Sequence, residues 1–442
     1  MILDFSWVCD YQHKTLGMTI WWSKNLTLPL LFFCSWLCVK NNIEISLTNV
    51  SKSSDVQVCI KLLKSLWFNL SVNKKTNVIK FSHLNTHISN IIDAELYKSA
   101  RSSILSIWLL LSFFDKVVLP NKTWWCKIWW DRKNDIHYDF FEKVWYKITQ
   151  NDDSIVITKG DFVNNLIYKL PVKSTTVSEN ILLYLILNIE RFKSVNIENF
   201  YYERPEILEL FRFCKICWYE VEYGYWCLNR VATNQKYGNI KKFTFSVMSD
   251  FDELLFYIFL WVTSWIKVKI SNYNNNYPYA ELKFIKKYLW NIISHNCNHK
   301  KQVIISPKNI VLKNVNKIDV IADAYPSIMS DSQPLLSLIS IFYPNVYILD
   351  QRFKNRFWYN VYYNDFWYET AVINWGVLIK NGYLKSINPK SEYYLFSIRE
   401  SAVLLLLAMH NQCKILVDSM DILERGYWNI ISNLKKIWVK IN

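Results

Sequence analysis

Glycine is almost missing from these 442 residues. Only 7 are present, where an ordinary chain of this length at ~7% glycine would carry about 31. The ten cysteines follow no regular spacing, which argues against a disulfide-stapled secreted domain and for a reduced, cytoplasmic setting. No apolar run reaches the ~18–20 residues that a membrane span requires. The longest, around Leu26–Val39, Ile104–Phe114 and Leu254–Ile266, read as buried helices, and no membrane partner is expected. A leader is not expected either, because the amino terminus lacks a charged start, an apolar stretch and a small-residue cleavage site. Clustered charge is also absent. The 52 Lys+Arg and 37 Asp+Glu leave a net +15 spread along the chain, so nucleic acid is not the expected partner despite the basic balance.

What the chain does have is tryptophan, 21 times. Its length suggests two or three domains. Six segments share one form, an apolar helical stretch, then Trp, then a short β-like run: LLKSLWFNL, FEKVWYKI, FRFCKICWYEV, KKYLWNII, YNDFWYETAV and LKKIWVKI. Their tryptophans, Trp67, Trp145, Trp218, Trp290, Trp367 and Trp438, are roughly 70–80 residues apart, the mark of a repeat architecture. Where a helix stops and the chain turns into a strand, the favoured residue is a left-handed glycine, since a Cβ there clashes. Tryptophan is among the worst choices. We therefore read most of these tryptophans as glycine positions, from a gene whose code assigns UGA to glycine and that was translated with a table assigning it to Trp. The alternative is an unusually aromatic protein with Trp anchors in its core.

Local signals agree with alternating strands and helices. Leu47–Asp55 reads as a strand end and a polar cap, followed by a helix through Leu66. SVNIENF reads as a strand leading into the helix RPEILELFRFCKIC, with Pro205 suited to the first helical turn. The expected class is α/β (α+β), with three units in each of two similar domains. Cys214 and Cys217 form a CxxC, and His295, Cys297 and His299 lie close together, but neither has a second half at metal-ligand spacing. No metal site is expected. Asp250 and Glu253 in SDFDELL read as the capped, acidic start of a helix.

The segment NKTWWCKIWWDRKNDIH at 121–137 surrounds Cys126 with Trp124, Trp125, Trp129 and Trp130. With glycine at those four positions it becomes a flexible loop where backbone can approach a ligand. Lys127 and Arg132 would favour the thiolate of Cys126 and hold anionic groups.

Taken in order, these motifs resemble the enolpyruvyl transferases, nearly end to end. WWSKNLTLP at 21–29 resembles that family's Lys-Asn motif, YKSARSSILSIW at 97–108 its arginine-bearing helix start, and the Cys126 segment its proton-donor loop, here with one extra residue between Cys126 and Arg132. LPVKSTTVSEN at 170–180, AYPSIMSDSQPLL at 324–336, RFKNRFWYN at 352–360, SIRESA at 397–402 and ERGY at 424–427 complete the series. One departure concerns Arg399. The family usually carries Asp two residues before it, whereas this chain has Ser397.

The resemblance implies an inside-out α/β barrel architecture with three βαβαββ repeats in each of two domains, 22–246 and 1–21 with 247–442, closing over a charged cleft. It implies transfer of the enolpyruvyl group of phosphoenolpyruvate to the 3-hydroxyl of UDP-N-acetylglucosamine, without cofactor or metal. Cys126 would be the proton donor and Asp331 the base. Lys24, Asn25, Arg132, Arg399 and Arg425 would hold phosphoenolpyruvate, because guanidinium forks suit both its phosphate and its carboxylate. Arg101, Arg132, Lys133, Asn134, Asp135, Ile136, Val172, Lys173, Ser174, Thr175, Asp331, Arg352 and Arg356 would hold the sugar nucleotide. His137 reads equally as an assistant in the site or as a satisfied structural histidine. A monomer is the favoured state. Two alternatives stay open: the sister enzyme acting on shikimate 3-phosphate, and a basic nucleic-acid-binding repeat protein.

Overall fold

The computed structural model describes the chain apart from residues 7–14, 83–86, 122–134, 162–163, 225–226, 234–240, 274–275, 278, 291–292, 296–301, 306–310, 354–355, 367, 382–391, 396, 428, 438 and 442. The described residues form two compact units, one of Trp22–Met248 and one of Met1–Trp21 with Ser249–Asn442.

One local pattern builds both. A buried helix leads to a first strand, an outer helix follows, and two further strands return as a hairpin whose last strand inserts between the other two. In the first instance the helix Lys24–Asn41 leads to strand Glu44–Thr48 and helix Ser54–Ser65, and strand Val78–Phe81 then pairs antiparallel with both Glu44–Thr48 and Leu70–Asn73. The same order recurs with the central strands Ser154–Lys159 and Cys227–Thr233 in this unit, and with Gln302–Ile305 and Gly376–Asn381 in the other. In the sixth sheet the central strand is Ile2–Asp4, which pairs with Lys414–Leu416 and Lys440–Ile441. Four sheets gain a parallel edge strand as well, among them Lys242–Ser246 beside Glu44–Thr48 and Thr15–Thr19 beside Lys267–Ser271.

The inner helices carry apolar residues on nearly every face, as helices packed inside a core do. Lys24–Asn41 is buried from Leu26 to Cys38, and Phe251–Ser264 is buried throughout. The outer helices bury one side only, as with Ser54–Ser65 and Ala280–Tyr288. Among the described residues no helix is long and apolar enough to cross a membrane. Cys214 and Cys217 lie buried at the end of helix Pro205–Ile216, where Pro205 occupies the first turn.

The backbone at the tryptophans is distinctive. Trp67, Trp145, Trp218, Trp265 and Trp375 all have positive φ, between 59° and 69°. Among the described residues, apart from one glutamine, Gln412, the other non-glycine residues with positive φ are all asparagines, whose short polar side chain tolerates the left-handed region. At Trp67 the helix closes as a paired cap. Trp67 N–H donates to Lys64 at 3.0 Å and Phe68 N–H to Leu63 at 3.0 Å, the bond pattern that selects glycine. Trp375 follows Asn374 in a two-residue turn between strands Tyr368–Ile373 and Gly376–Asn381. Both turn residues have positive φ, the geometry for which Asn-Gly is the preferred pair. Trp67, Trp145 and Trp375 are 57%, 55% and 63% exposed, so their rings gain little from burial in return.

Two of the six expected junctions, Trp367 and Trp438, lie outside the described residues. Trp290 departs from the expectation. Helix Ala280–Tyr288 ends early, its cap Leu289 has φ −115°, and Trp290 is already in the strand that pairs with Val311–Leu312.

Candidate functional site

In the unit of residues 22–248 the expected residues sit where inner helices begin. Ser23 caps the helix Lys24–Asn41, its hydroxyl accepting from the N–H of Leu26 at 3.3 Å. Lys24, the first helical residue, donates through Nζ to Oδ2 of Asp55 at 2.9 Å, and Asn25 beside it is half-buried. Asp55 lies in the first turn of Ser54–Ser65. One turn further on, Cys59 contacts the Ser102 hydroxyl at 3.3 Å, next to Arg101 at the head of the short helix Arg101–Leu105. Burial pushes the Cys59 thiol up to about 12, so that cysteine is packing rather than chemistry.

His137 ties three segments together. It lies in the first turn of Asp135–Lys143 and is buried, with its Nδ1 2.7 Å from Nδ2 of Asn180 on the helix Thr175–Leu187. Burial first, and the charge of Arg101 second, push its pKa down to about 3. It is therefore neutral, and with Nδ1 accepting from the amide its proton sits on Nε2. The structure thus brings together Arg101, the Asp135–Ile136 helix start and the Val172–Thr175 segment that precedes and opens Thr175–Leu187. Within that segment Lys173 donates to both oxygens of Glu203, at 3.0 and 3.1 Å. Cys126, Arg132, Lys133 and Asn134 lie outside the described residues.

The second set belongs to the other unit and centres on Asp331. Nη1 of Arg356 donates to Oδ1 of Asp331 at 2.8 Å, and Nε of Arg356 lies 3.7 Å from Oε1 of Glu400. Gln333 fixes this register, since its amide donates to the Arg356 carbonyl at 2.7 Å and its oxygen accepts from the Tyr359 hydroxyl at 2.6 Å. Asp350 holds the neighbouring turn by accepting from the N–H groups of Arg352 and Phe353, each at 3.0 Å.

Arg399, second residue of the helix Ile398–His410, pairs with Asp252. Burial works against both arginine charges. Asp331 and Glu400 beside Arg356, and Asp252 and Asp331 beside Arg399, outweigh it and raise both pKa values. Arg425 closes the short helix Asp421–Glu424, and the next residue, Gly426, packs so tightly on Ile398 that a Cβ would overlap it. Tyr427 then stacks on Phe256 with ring centres 4.3 Å apart. This draws the Arg425 turn onto the start of the Arg399 helix.

Asp55, Asn180, Asp252 and Glu400 were not singled out from sequence. Asp55, Asp252 and Glu400 are acids in the first turn of a helix, where capping is the ordinary explanation. Asp250 and Glu253 show the contrast. Asp250 does cap its helix, accepting from the Glu253 N–H at 3.1 Å, but Glu253 is fully buried and accepts from the Trp21 N–H at 2.6 Å.

No protein-family model matches the chain. Among solved structures, the enolpyruvyl transferase NikO from Streptomyces tendae superposes with a TM-score of 0.78, covering 100% of this chain and 98% of its own at 13% identity. The EPSP synthase from Acinetobacter baumannii gives 0.67 at 12% identity. The chain has the enolpyruvyl transferase fold. Curated relatives from several bacteria carry one name, UDP-N-acetylglucosamine 1-carboxyvinyltransferase. That of Pelagibacter ubique is 28% identical over 430 residues, covering 95% of this chain and 94% of the relative. That of Campylobacter jejuni strain RM1221 is 25% identical over 450 residues, covering 97% of each. Within this transferase fold, the described site residues are the heads of inner helices and the turns packed against them.

Proposed function

We propose that this protein transfers the enolpyruvyl group of phosphoenolpyruvate to the 3-hydroxyl of UDP-N-acetylglucosamine and releases phosphate, the first committed step of peptidoglycan precursor synthesis. The observation that carries this reading is the end-to-end likeness to curated relatives of that name, joined to an acid-and-arginine cluster around Asp331.

The chemistry is addition followed by elimination. Cys126 gives a proton to the methylene carbon of phosphoenolpyruvate while Asp331 takes the proton of the attacking hydroxyl; in the elimination a proton returns from that carbon to the Cys126 thiolate as phosphate leaves. Lys24, Asn25, Arg132, Arg399 and Arg425 hold the phosphate and carboxylate. Arg101, Arg132 to Ile136, Val172 to Thr175, Asp331, Arg352 and Arg356 hold the sugar nucleotide. Backbone N–H groups at the helix starts suit its diphosphate. His137, neutral and anchored on Asn180, orients the segments around it and takes no part in proton transfer near neutral pH.

Phosphate release from phosphoenolpyruvate, measured with UDP-N-acetylglucosamine and separately with shikimate 3-phosphate, tests the reading. Turnover is expected with the first acceptor alone. Turnover only with the second would transfer the assignment to the sister reaction. A Cys126→Ser variant should lose at least about 100-fold in kcat, the contribution expected of a positioned proton donor.

A further inference from the structure

Arg399 is an expected ligand for phosphoenolpyruvate, and the residue that opens its helix, Ser397, carries no charge to fix it. Ser397 supplies no substitute. It is the N-cap residue of Ile398–His410 but makes no side-chain cap bond, and its buried hydroxyl has no hydrogen-bond partner. A buried guanidinium without a fixed acid is costly, and its position is loosely determined.

The acid comes from another helix. Asp252 lies in the first turn of Phe251–Ser264, is 8% exposed, and pairs with Nη2 of Arg399. It is not needed as a cap, because Asp250 already accepts from the Glu253 N–H. The Nε of Arg399 is buried and makes no hydrogen bond, so the fork keeps a donor in reserve while Asp252 fixes its other end. The next residue, Glu400, faces Arg356, the partner of Asp331. Three acids, Asp252, Asp331 and Glu400, therefore flank two neighbouring arginines.

We propose that Asp252 is a positioning residue for Arg399, supplying from a neighbouring helix the acid that fixes one end of its guanidinium, and so sets the site for the carboxylate or phosphate of phosphoenolpyruvate. This rests on the transferase reading above. A purely structural Asp252 would change stability when removed but would not act on one substrate more than the other.

The test uses the full chain and phosphate-release kinetics, with the thermal midpoint measured alongside. Asp252→Asn is expected to raise KM for phosphoenolpyruvate roughly tenfold and to leave KM for the sugar nucleotide within about twofold. Asp252→Glu, which keeps the charge, is expected to lose less than Asp252→Asn and serves if the asparagine variant does not fold. An unchanged KM for phosphoenolpyruvate in Asp252→Asn overturns the proposal. So does an equal rise for both substrates. Absence of phosphate release by the unsubstituted protein with either acceptor overturns the transferase reading, and this inference with it.

Discussion

A side chain with positive φ is strained unless it is glycine, or asparagine or a residue like it, at roughly 1–2 kcal/mol per residue. Trp67, Trp145 and Trp218 occupy that region at three equivalent helix ends. Peptide sequencing of the native protein is expected to find glycine at these sites and at Trp265 and Trp375; tryptophan found there ends the recoding idea. In protein made with the indoles, Trp67→Gly should raise stability by about 1 kcal/mol, read as a higher urea midpoint at unchanged slope. His137 gives a second expectation at this scale. Its folded pKa, about 3, lies below the ordinary ~6.5 of the unfolded chain. The unfolded state therefore binds the extra proton, and this stabilising contribution, whole above pH ~6.5, is lost as pH falls toward 3. His137→Gln should flatten that acid slope in a series of thermal midpoints.

At the scale of single elements, the sequence was most legible where one residue type has one reason to be present. Pro205 marks a first helical turn, and the mostly apolar run Leu254–Ile266 marks a buried helix. The tryptophans marked strand entries because nothing else explained their spacing. Trp290 was less legible, since the end of its helix is decided by the pairing of Leu289–Trp290 with Val311–Leu312, a contact that local sequence does not encode. The arginines were readable as motif members, but their acid partners were not. Asp55 and Asp252 look like helix caps until the fold sets a cation against them. Asp55→Asn should therefore cost about 1–3 kcal/mol in chemical denaturation, more than loss of an exposed pair would, because it leaves the largely buried Lys24 ammonium without its carboxylate.

For the whole molecule, the sixfold pattern explains why so little of the chain must be specified by unique motifs. Each sheet repeats one connection, and the site residues sit mainly at helix heads and turns that the repeat leaves unconstrained. What the repeat period could not reveal is that the sixth sheet borrows its middle strand from the start of the chain. Leu3 and Phe5 are fully buried there. Removing residues 1–5 should leave Lys414–Leu416 and Lys440–Ile441 without the strand that joins them, seen as faster amide exchange in both segments.

That borrowed strand also imposes an order of events on the ribosome. Residues 2–4 are made before Lys414–Leu416 and Lys440–Ile441 and cannot dock until both have followed, whereas Trp22–Met248 contains all the strands of its own sheets and can be finished before then. The strand Ile2–Asp4 must stay unpaired while the intervening chain is made, so a pause before Lys440–Ile441 would prolong exposure of Leu3 and Phe5 to chaperones or to other nascent chains.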